Sequence, residues 1–223
     1  MISVTAVGTE TSGNLGAIAR VMANFGVSKL YLVNPVCEVF NNDSKARAMH
    51  AYNILENAVI VDSLDKVSAD YLVGTSARLG TGHNLRRVPL TPKMFREQLD
   101  SKIHYSIVLG REGDGLTNEE LAKCDVLVSI PTKEYKAMNV SHALAVLLYE
   151  LTKDDMTVIK HLANKSDRKA VMMRLNEAGK GIPNLENYTV IFENLMNRSF
   201  IRKKEARALA GLFKQLNEKI NRK

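Results

Sequence analysis

Three short segments carry the residue types that a polar ligand site needs. The first is Gly13-Asn14-Leu15-Gly16-Ala17-Ile18-Ala19-Arg20. A glycine-rich turn into a helix cradles polar groups, and a helix starting near Gly16 would carry Arg20 about one turn in. The second is Gly110-Arg111-Glu112-Gly113-Asp114-Gly115. Three glycines among charged residues let the backbone approach a ligand closely, and Glu112 has the chemistry to accept bonds from a ribose or to orient a neighbouring arginine. The third is Ile130-Pro131-Thr132, followed by Ala137-Met138-Asn139-Val140-Ser141-His142. Asn139 suits the cap of a helix whose first amides are free for a polar edge. Taken singly, the first segment is also compatible with a tight turn whose Arg20 pairs on the surface, and the second with a plain surface turn. The Gly-x-Gly-x-x-Gly and Gly-Lys-Ser/Thr phosphate fingerprints do not occur in the first segment, which places a nicotinamide-binding domain far behind.

The chemistry open to the remaining residues is narrower. His50, His83, His104, His142 and His161 show no metal spacing, and Cys37 and Cys124 stand alone, so no metal and no disulfide framework is expected. His142 reads more readily as a hydrogen-bonded structural histidine than as a base.

The elements that must position these segments come from the apolar pattern. Strands are expected at Ile2 to Val7, Lys29 to Val33, Ala58 to Val61, Tyr71 to Gly74, Ile103 to Leu109 and Val126 to Ile130. Helical patterns lie between them at Gly16 to Asn24, Asp43 to Leu55, Pro92 to Leu99 and Asn118 to Ala122, with a capping box from Thr117 to Glu120. Val140 to Leu151 closes the body as a final helix. This alternation predicts an α/β fold with helices on both faces of the sheet, and it puts each ligand-like segment after a strand, where open α/β sheets bind ligands.

Charge divides the chain in two. Residues 1–153 hold 16 basic and 16 acidic side chains, whereas residues 154–223 hold 15 against 8, which accounts for the whole net charge of +7. A neutral body with a basic tail fits chemistry in the body and a polyanion on the tail, although a solvated helical surface has the same composition. Three tail helices are expected. The first is capped by Ser166 or Asp167 and stopped by Gly179, Gly181 and Pro183; the second carries Tyr188, Ile191, Phe192, Leu195 and Met196 on one face. The third carries Arg202, Lys203, Lys204, Arg207 and Lys214 around an apolar stripe. Such helices bury little alone and should dock on the body or on a second copy. The domain reading is therefore 1–153 for the body, 154–165 for a linker and 166–223 for a basic helical extension. No apolar run approaches a membrane span, and Ile2 to Val7 reads as a strand and not as a signal peptide, so a cytoplasmic location is expected.

With these segments in this order, residues 1–153 resemble the SPOUT superfamily of RNA methyltransferases, in its SpoU/TrmH branch. The resemblance rests on Asn14 and Arg20, on Gly110-Arg111-Glu112-Gly113-Asp114-Gly115-Leu116, and on Ile130-Pro131 with Ala137-Met138-Asn139-Val140-Ser141. Asn34-Pro35, Gly74-Thr75-Ser76-Ala77-Arg78 and the helical extension look most like the TrmJ-type tRNA ribose methyltransferases. The family often has serine where Ala137 stands, so a role for that hydroxyl is absent here or passes to Ser141.

The resemblance implies an α/β knot, a deep trefoil, with a helical C-terminal extension, working as a homodimer. It implies S-adenosylmethionine held by Leu109, Gly110, Glu112, Gly113, Ile130, Met138 and Asn139, and 2′-O-methylation of tRNA in the anticodon loop with Arg20, Asn14 and Ser141 as catalytic residues. Arg78, Arg86 and Arg87, with Arg202, Lys203, Lys204 and Arg207, are the expected tRNA contacts. Ribosomal RNA, another tRNA position and a non-catalytic RNA-binding role are the competing readings.

Overall fold

The structure is a computed structural model that describes residues 1–77, 89–135, 137–153 and 161–220. Six strands, β1 (Ile2–Val7), β2 (Leu30–Val33), β3 (Val59–Val61), β4 (Tyr71–Thr75), β5 (Tyr105–Leu109) and β6 (Val126–Val128), form one sheet. Its order is β3-β2-β1-β5-β4-β6, and every recorded pairing is parallel. The strands read as nearly continuous apolar runs because such a sheet is covered on both faces.

Alternate residues sort to opposite faces, as the period of two requires. Val4, Ala6, Leu30, Leu32, Val73, Ile107 and Leu109 join a large core with α1 (Ser12–Asn24), α3 (Tyr52–Glu56) and α6 (Val140–Thr152). Val7, Tyr31, Val33, Leu72, Val108 and Leu127 form a smaller core with Leu64 and with Leu121 of α5 (Asn118–Lys123). Chain direction changes sides at β1, since β2 lies on one flank and β5 on the other. The carboxyl ends of the strands beside that switch point are where an open sheet offers a site, and here the cavity opens at β5, β4 and β6.

Several helices differ from the sequence expectation; α4 (Pro92–Arg96), for one, ends at Arg96 and not at Leu99. α1 begins at Ser12, not near Gly16, so Gly13, Asn14 and Gly16 are helical residues. Its start is anchored from outside by the Glu112 carboxylate, a partner that local sequence does not display. Gly16 is required for packing, because a Cβ there would run into the Ser44 carbonyl of α2 (Asn42–Ala48). The long helix expected from Asp43 to Leu55 is split at Met49, whose φ of 52° ends α2 and leads through a 3-10 turn, Met49–Ala51, into α3.

The extension consists of α7 (Lys165–Ala178), α8 (Leu185–Arg198) and α9 (Lys203–Ile220). Asn164 caps α7 in a box with Asp167, in place of the Ser166 or Asp167 cap that the sequence suggests; Asp167 is the reciprocal partner three residues on. Ala163, Val171, Met196, Ile201 and Ala206 give the extension a small core of its own.

The extension docks on the body at the amino ends of the strands. Phe200 is buried in the main core against Tyr71 and Phe95 of α4 (Pro92–Arg96), with ring centroids 5.9 and 6.0 Å away. Arg168, 4% exposed, lies 3.4 Å over the Tyr71 ring and donates to the carbonyls of Ala163 and Asp70 and to Asp125. A buried guanidinium is tolerated only when paired in this way. Burial in turn pushes the Tyr71 phenol up to about 12, despite the opposing pull of Arg168. Leu162 and Ala163, inside the segment read as linker, are buried, and the Leu162 amide donates to Asp100 at 3.0 Å.

Candidate active site

The carboxyl ends of β4, β5 and β6 surround a cavity of about 440 Å³. Its walls come from Thr75–Ala77 after β4, from 109–116 after β5, from Val128 and Ile130 of the β6 segment, and from Ala137, Met138, Val140, Ala143 and Leu147 leading into α6. Walls of mixed apolar and polar character, with many backbone polar groups, suit a small ligand with a flat heterocycle and a polar chain.

The glycine loop is shaped by its own backbone. Arg111 and Gly115 exchange amide and carbonyl bonds at 3.1 and 3.2 Å, and Gly115 has φ of +71°. A Cβ on Gly110 would collide with the backbone of Gly115 and Leu116. Neighbouring side chains then anchor the loop in two directions. Arg111 forms a forked pair with Glu120, 2.9 Å in each arm, and passes so close to Gly8 that a Cβ there would be 2.7 Å from its Nε. The Arg111 guanidinium is the main cause holding the Glu120 carboxyl below its ordinary range. Glu120 also closes the capping box with Thr117 at the start of α5, so the loop is tied to a helix end.

Glu112 turns the other way. Its carboxylate accepts from the Glu10 amide at 3.0 Å, the Thr11 amide at 3.1 Å, the Thr11 hydroxyl at 2.8 Å and Asn14 Nδ2 at 2.8 Å. It holds Thr11, the N-cap residue of α1, at a helix start where a negative charge also favours the helix dipole. Burial acts to raise the Glu112 pKa, but these donors outweigh it and hold the carboxyl below its usual range. Asn14 continues the chain of bonds. Its Oδ1 accepts from Asn139 Nδ2 at 3.1 Å, and Asn139 Oδ1 accepts from the Ser141 amide at 2.9 Å and the Ser141 hydroxyl at 2.7 Å. One line of hydrogen bonds thus joins all three sequence segments.

Each expected residue among those described has a definite place. Leu109, Gly110, Glu112, Gly113, Ile130 and Met138 line the cavity. Asn139 caps α6 beside it, and Ser141 is buried with its hydroxyl committed to Asn139. Arg20 is exposed and makes no hydrogen bond or ion pair among the described residues. Six residues beyond Asn14, it lies roughly 9 Å further along α1 and about 240° around it, so it is not in the cavity wall. Arg202, Lys203, Lys204 and Arg207 are exposed at the start of α9, near the amino end of the sheet, where the Lys203 amide meets the His161 carbonyl. Arg78, Arg86 and Arg87 lie outside the described residues. Sequence reasoning missed the wall formed by Thr75–Ala77 and the anchoring role of Arg111. The first is signalled by its place after a buried strand; the second has no local signal.

Residues 1–149 match the SpoU rRNA Methylase family. The chain belongs to that family. This SpoU-family member is 43% identical, over 96% of its own length and 99% of the other's, to the tRNA (cytidine-2'-O-)-methyltransferase TrmJ of Methanocaldococcus jannaschii. Its fold is that of TrmJ from Z. mobilis ZM4, with a TM-score of 0.70 at 23% identity over 97% of this chain and 99% of that one. The SpoU methyltransferase AviRb from Streptomyces viridochromogenes, in complex with the cofactor AdoMet, superposes with a TM-score of 0.54 at 22% identity, covering 68% of this chain and 59% of AviRb. The SpoU-family body is therefore an α/β fold of the SPOUT type carrying a helical extension. Among the described residues, no group of three or more His, Cys, Asp or Glu side chains is placed to hold a metal ion, and no helix is long and apolar enough to cross a membrane.

Proposed function

We propose that this protein methylates a ribose 2′-hydroxyl of tRNA, in the TrmJ manner, with S-adenosylmethionine as methyl donor and the anticodon loop as target. The observation that carries the proposal is the line Glu112–Asn14–Asn139–Ser141, which locks the three family segments around one cavity. The cavity fits the donor. Leu109, Ile130, Met138 and Leu147 offer apolar surface to an adenine, while the glycine loop offers backbone amides to polar edges. The sulfonium supplies an already activated methyl, so the chain has to align the attacking oxygen and assist loss of its proton.

The division of labour in this proposal is supported by the contacts of these residues. Glu112 and Asn139 fix Asn14, and Asn14 keeps the glycine loop in register with α6. Ser141 acts through Asn139 as a positioning residue. Arg20 is the cation offered to the RNA. A guanidinium holds its proton too tightly to be an ordinary base, so Arg20 stabilises the developing alkoxide and a nearby phosphate while the proton leaves to phosphate or water.

A homodimer is part of this proposal. Val146 and Tyr149 of α6 are 41% and 59% exposed, and α6 packs beside α1, which carries the exposed Arg20. A second copy on that surface would cover the apolar patch and bring Arg20 towards a cavity. The trefoil knot is likewise a proposal, supported by the return of the chain from edge strand β6 to seat α6 against α1. The basic start of α9 is assigned to tRNA phosphates, the 1–153 body to chemistry, and the location to the cytoplasm, where tRNA is modified.

The test is incubation with methyl-labelled S-adenosylmethionine and unmodified tRNA, followed by nucleoside mapping by mass spectrometry. A 2′-O-methyl nucleoside in the anticodon loop is the expected product. Cofactor binding without transfer to tRNA would favour ribosomal RNA, the substrate in the family's name; no cofactor binding would leave an RNA-binding protein without catalysis.

A further inference from the structure

A substrate ribose cannot reach a cavity at the end of a sheet while its base stays stacked among neighbours. Methylation of an RNA loop therefore needs a surface that receives an unstacked base, and single-stranded nucleotides are received on aromatic rings. Such a surface must lie at the rim of the cavity, must be open to solvent before RNA arrives, and must be free of partners within the protein.

Tyr135 meets these conditions. At 82% exposed it is the most exposed large hydrophobic side chain among the described residues. It stands in the segment from β6 to α6, whose Ile130, Ala137, Met138 and Val140 line the cavity. Two residues separate Tyr135 from Ala137 at most by roughly 7 Å of backbone. It makes no hydrogen bond and no ring contact among the described residues. Of the other exposed aromatics, Phe40 and Tyr188 belong to segments that do not line the cavity, and Tyr149 stands beyond Leu147, the last residue of α6 in the cavity wall. The exposed Lys133, two residues before, adds a cation on the same rim for the backbone of the same nucleotide.

We propose that Tyr135 is a stacking platform for an unpaired nucleobase, at or next to the nucleotide that is methylated. The inference rests on the reading of the protein as an RNA methyltransferase and adds to it a specific RNA-binding residue. Stacking is indifferent to which base is offered, since every base has a π-face, so the platform sets the position of the nucleotide and not its identity. It also contributes no counterion release, which separates it from the lysine and arginine contacts.

The experiment exploits the absence of tryptophan from the sequence. Tyr135→Trp gives a protein with one indole, placed on the platform. Its emission should be quenched when unmodified tRNA is added and should stay unchanged with cofactor alone. In parallel, Tyr135→Ala should raise the KM for tRNA about tenfold. Its cofactor affinity and the salt slope of tRNA binding should match the wild type. Tyr135→Phe and Tyr135→Trp should restore most of the loss. Indole emission that ignores saturating tRNA, or a Tyr135→Ala protein with wild-type KM, overturns the platform while leaving the methyltransferase reading intact. A Tyr135→Ala protein whose mass in sedimentation falls relative to wild type assigns the ring to an interface between copies, and also overturns it. Failure of the wild type to methylate any RNA removes the reading beneath the inference, and the inference with it.

Discussion

The side-chain amide of Asn14 donates to the carboxylate of Glu112 at 2.8 Å, across 98 residues of sequence. This bond and the one from Asn139 make Asn14 the junction between the glycine loop and α6. Asn14→Ala should lower kcat/KM at least tenfold and lower Tm by about 5 °C, since a hydrogen bond to a charged group is worth about 1.5–3 kcal/mol. Asn14→Asp would set two carboxylates against each other. It should lose more at pH 7 and regain stability as the pH is lowered, a pattern that thermal melts from pH 5 to 8 would reveal.

Glu112 carries a pH dependence of known sign. Burial opposes its charge, yet the donors from Asn14, Glu10 and Thr11 hold its folded pKa below the ordinary value. Its contribution to stability is therefore complete above the unfolded pKa of about 4.3 and is lost as the pH falls through the lower folded value. Tm measured against pH should fall off less steeply at acid pH for Glu112→Gln than for the wild type, from a lower plateau at neutral pH.

The forked pair between Arg111 and Glu120 should matter to the cofactor more than to the RNA. Arg111→Met and Glu120→Ala should each raise the cofactor Kd about tenfold in calorimetry. The double variant should be no worse than either single one, because both remove one clamp. Additive losses would assign the two residues separate duties.

Arg20 is tested by separating binding from turnover. Arg20→Ala should lose about 10²–10³ in kcat, the range seen when a charge-stabilising group is removed, with cofactor affinity unchanged. Undiminished turnover would remove Arg20 from the mechanism.

The basic start of α9 makes a prediction in salt. Replacing Arg202, Lys203, Lys204 and Arg207 by glutamine should weaken tRNA binding. The slope of log affinity against log salt should become shallower by roughly 0.7 to 0.9 for each phosphate that is no longer neutralised. Tm should stay near the wild-type value, since these side chains are exposed. An unchanged slope would return them to ordinary solvated surface.

What the sequence disclosed and what it hid follow from the range of the interactions. The strands were legible because buried parallel strands are continuous apolar runs, and the Thr117–Glu120 box and the Asn139 cap were legible because both partners sit within three residues. The start of α1 was not, because its N-cap residue Thr11 is anchored by Glu112, about a hundred residues away. The kink at Met49 lies inside an unbroken helical pattern that holds no glycine or proline. Arg111 finds its partner only once α5 folds beside it, and Phe200 finds its place only where Tyr71 and Phe95 receive its ring. At the site, the residue types were visible in the sequence, whereas the order in which they hold one another was not.

The extension hangs from the amino ends of β4, β5 and β6, and the cavity opens at their carboxyl ends. β4 alone puts roughly 13 Å of rigid strand between the two. Loops at one end can thus accumulate change without disturbing backbone at the other. Over evolutionary time the helical extension is free to drift, or to be exchanged for a different one, on top of a body that stands still.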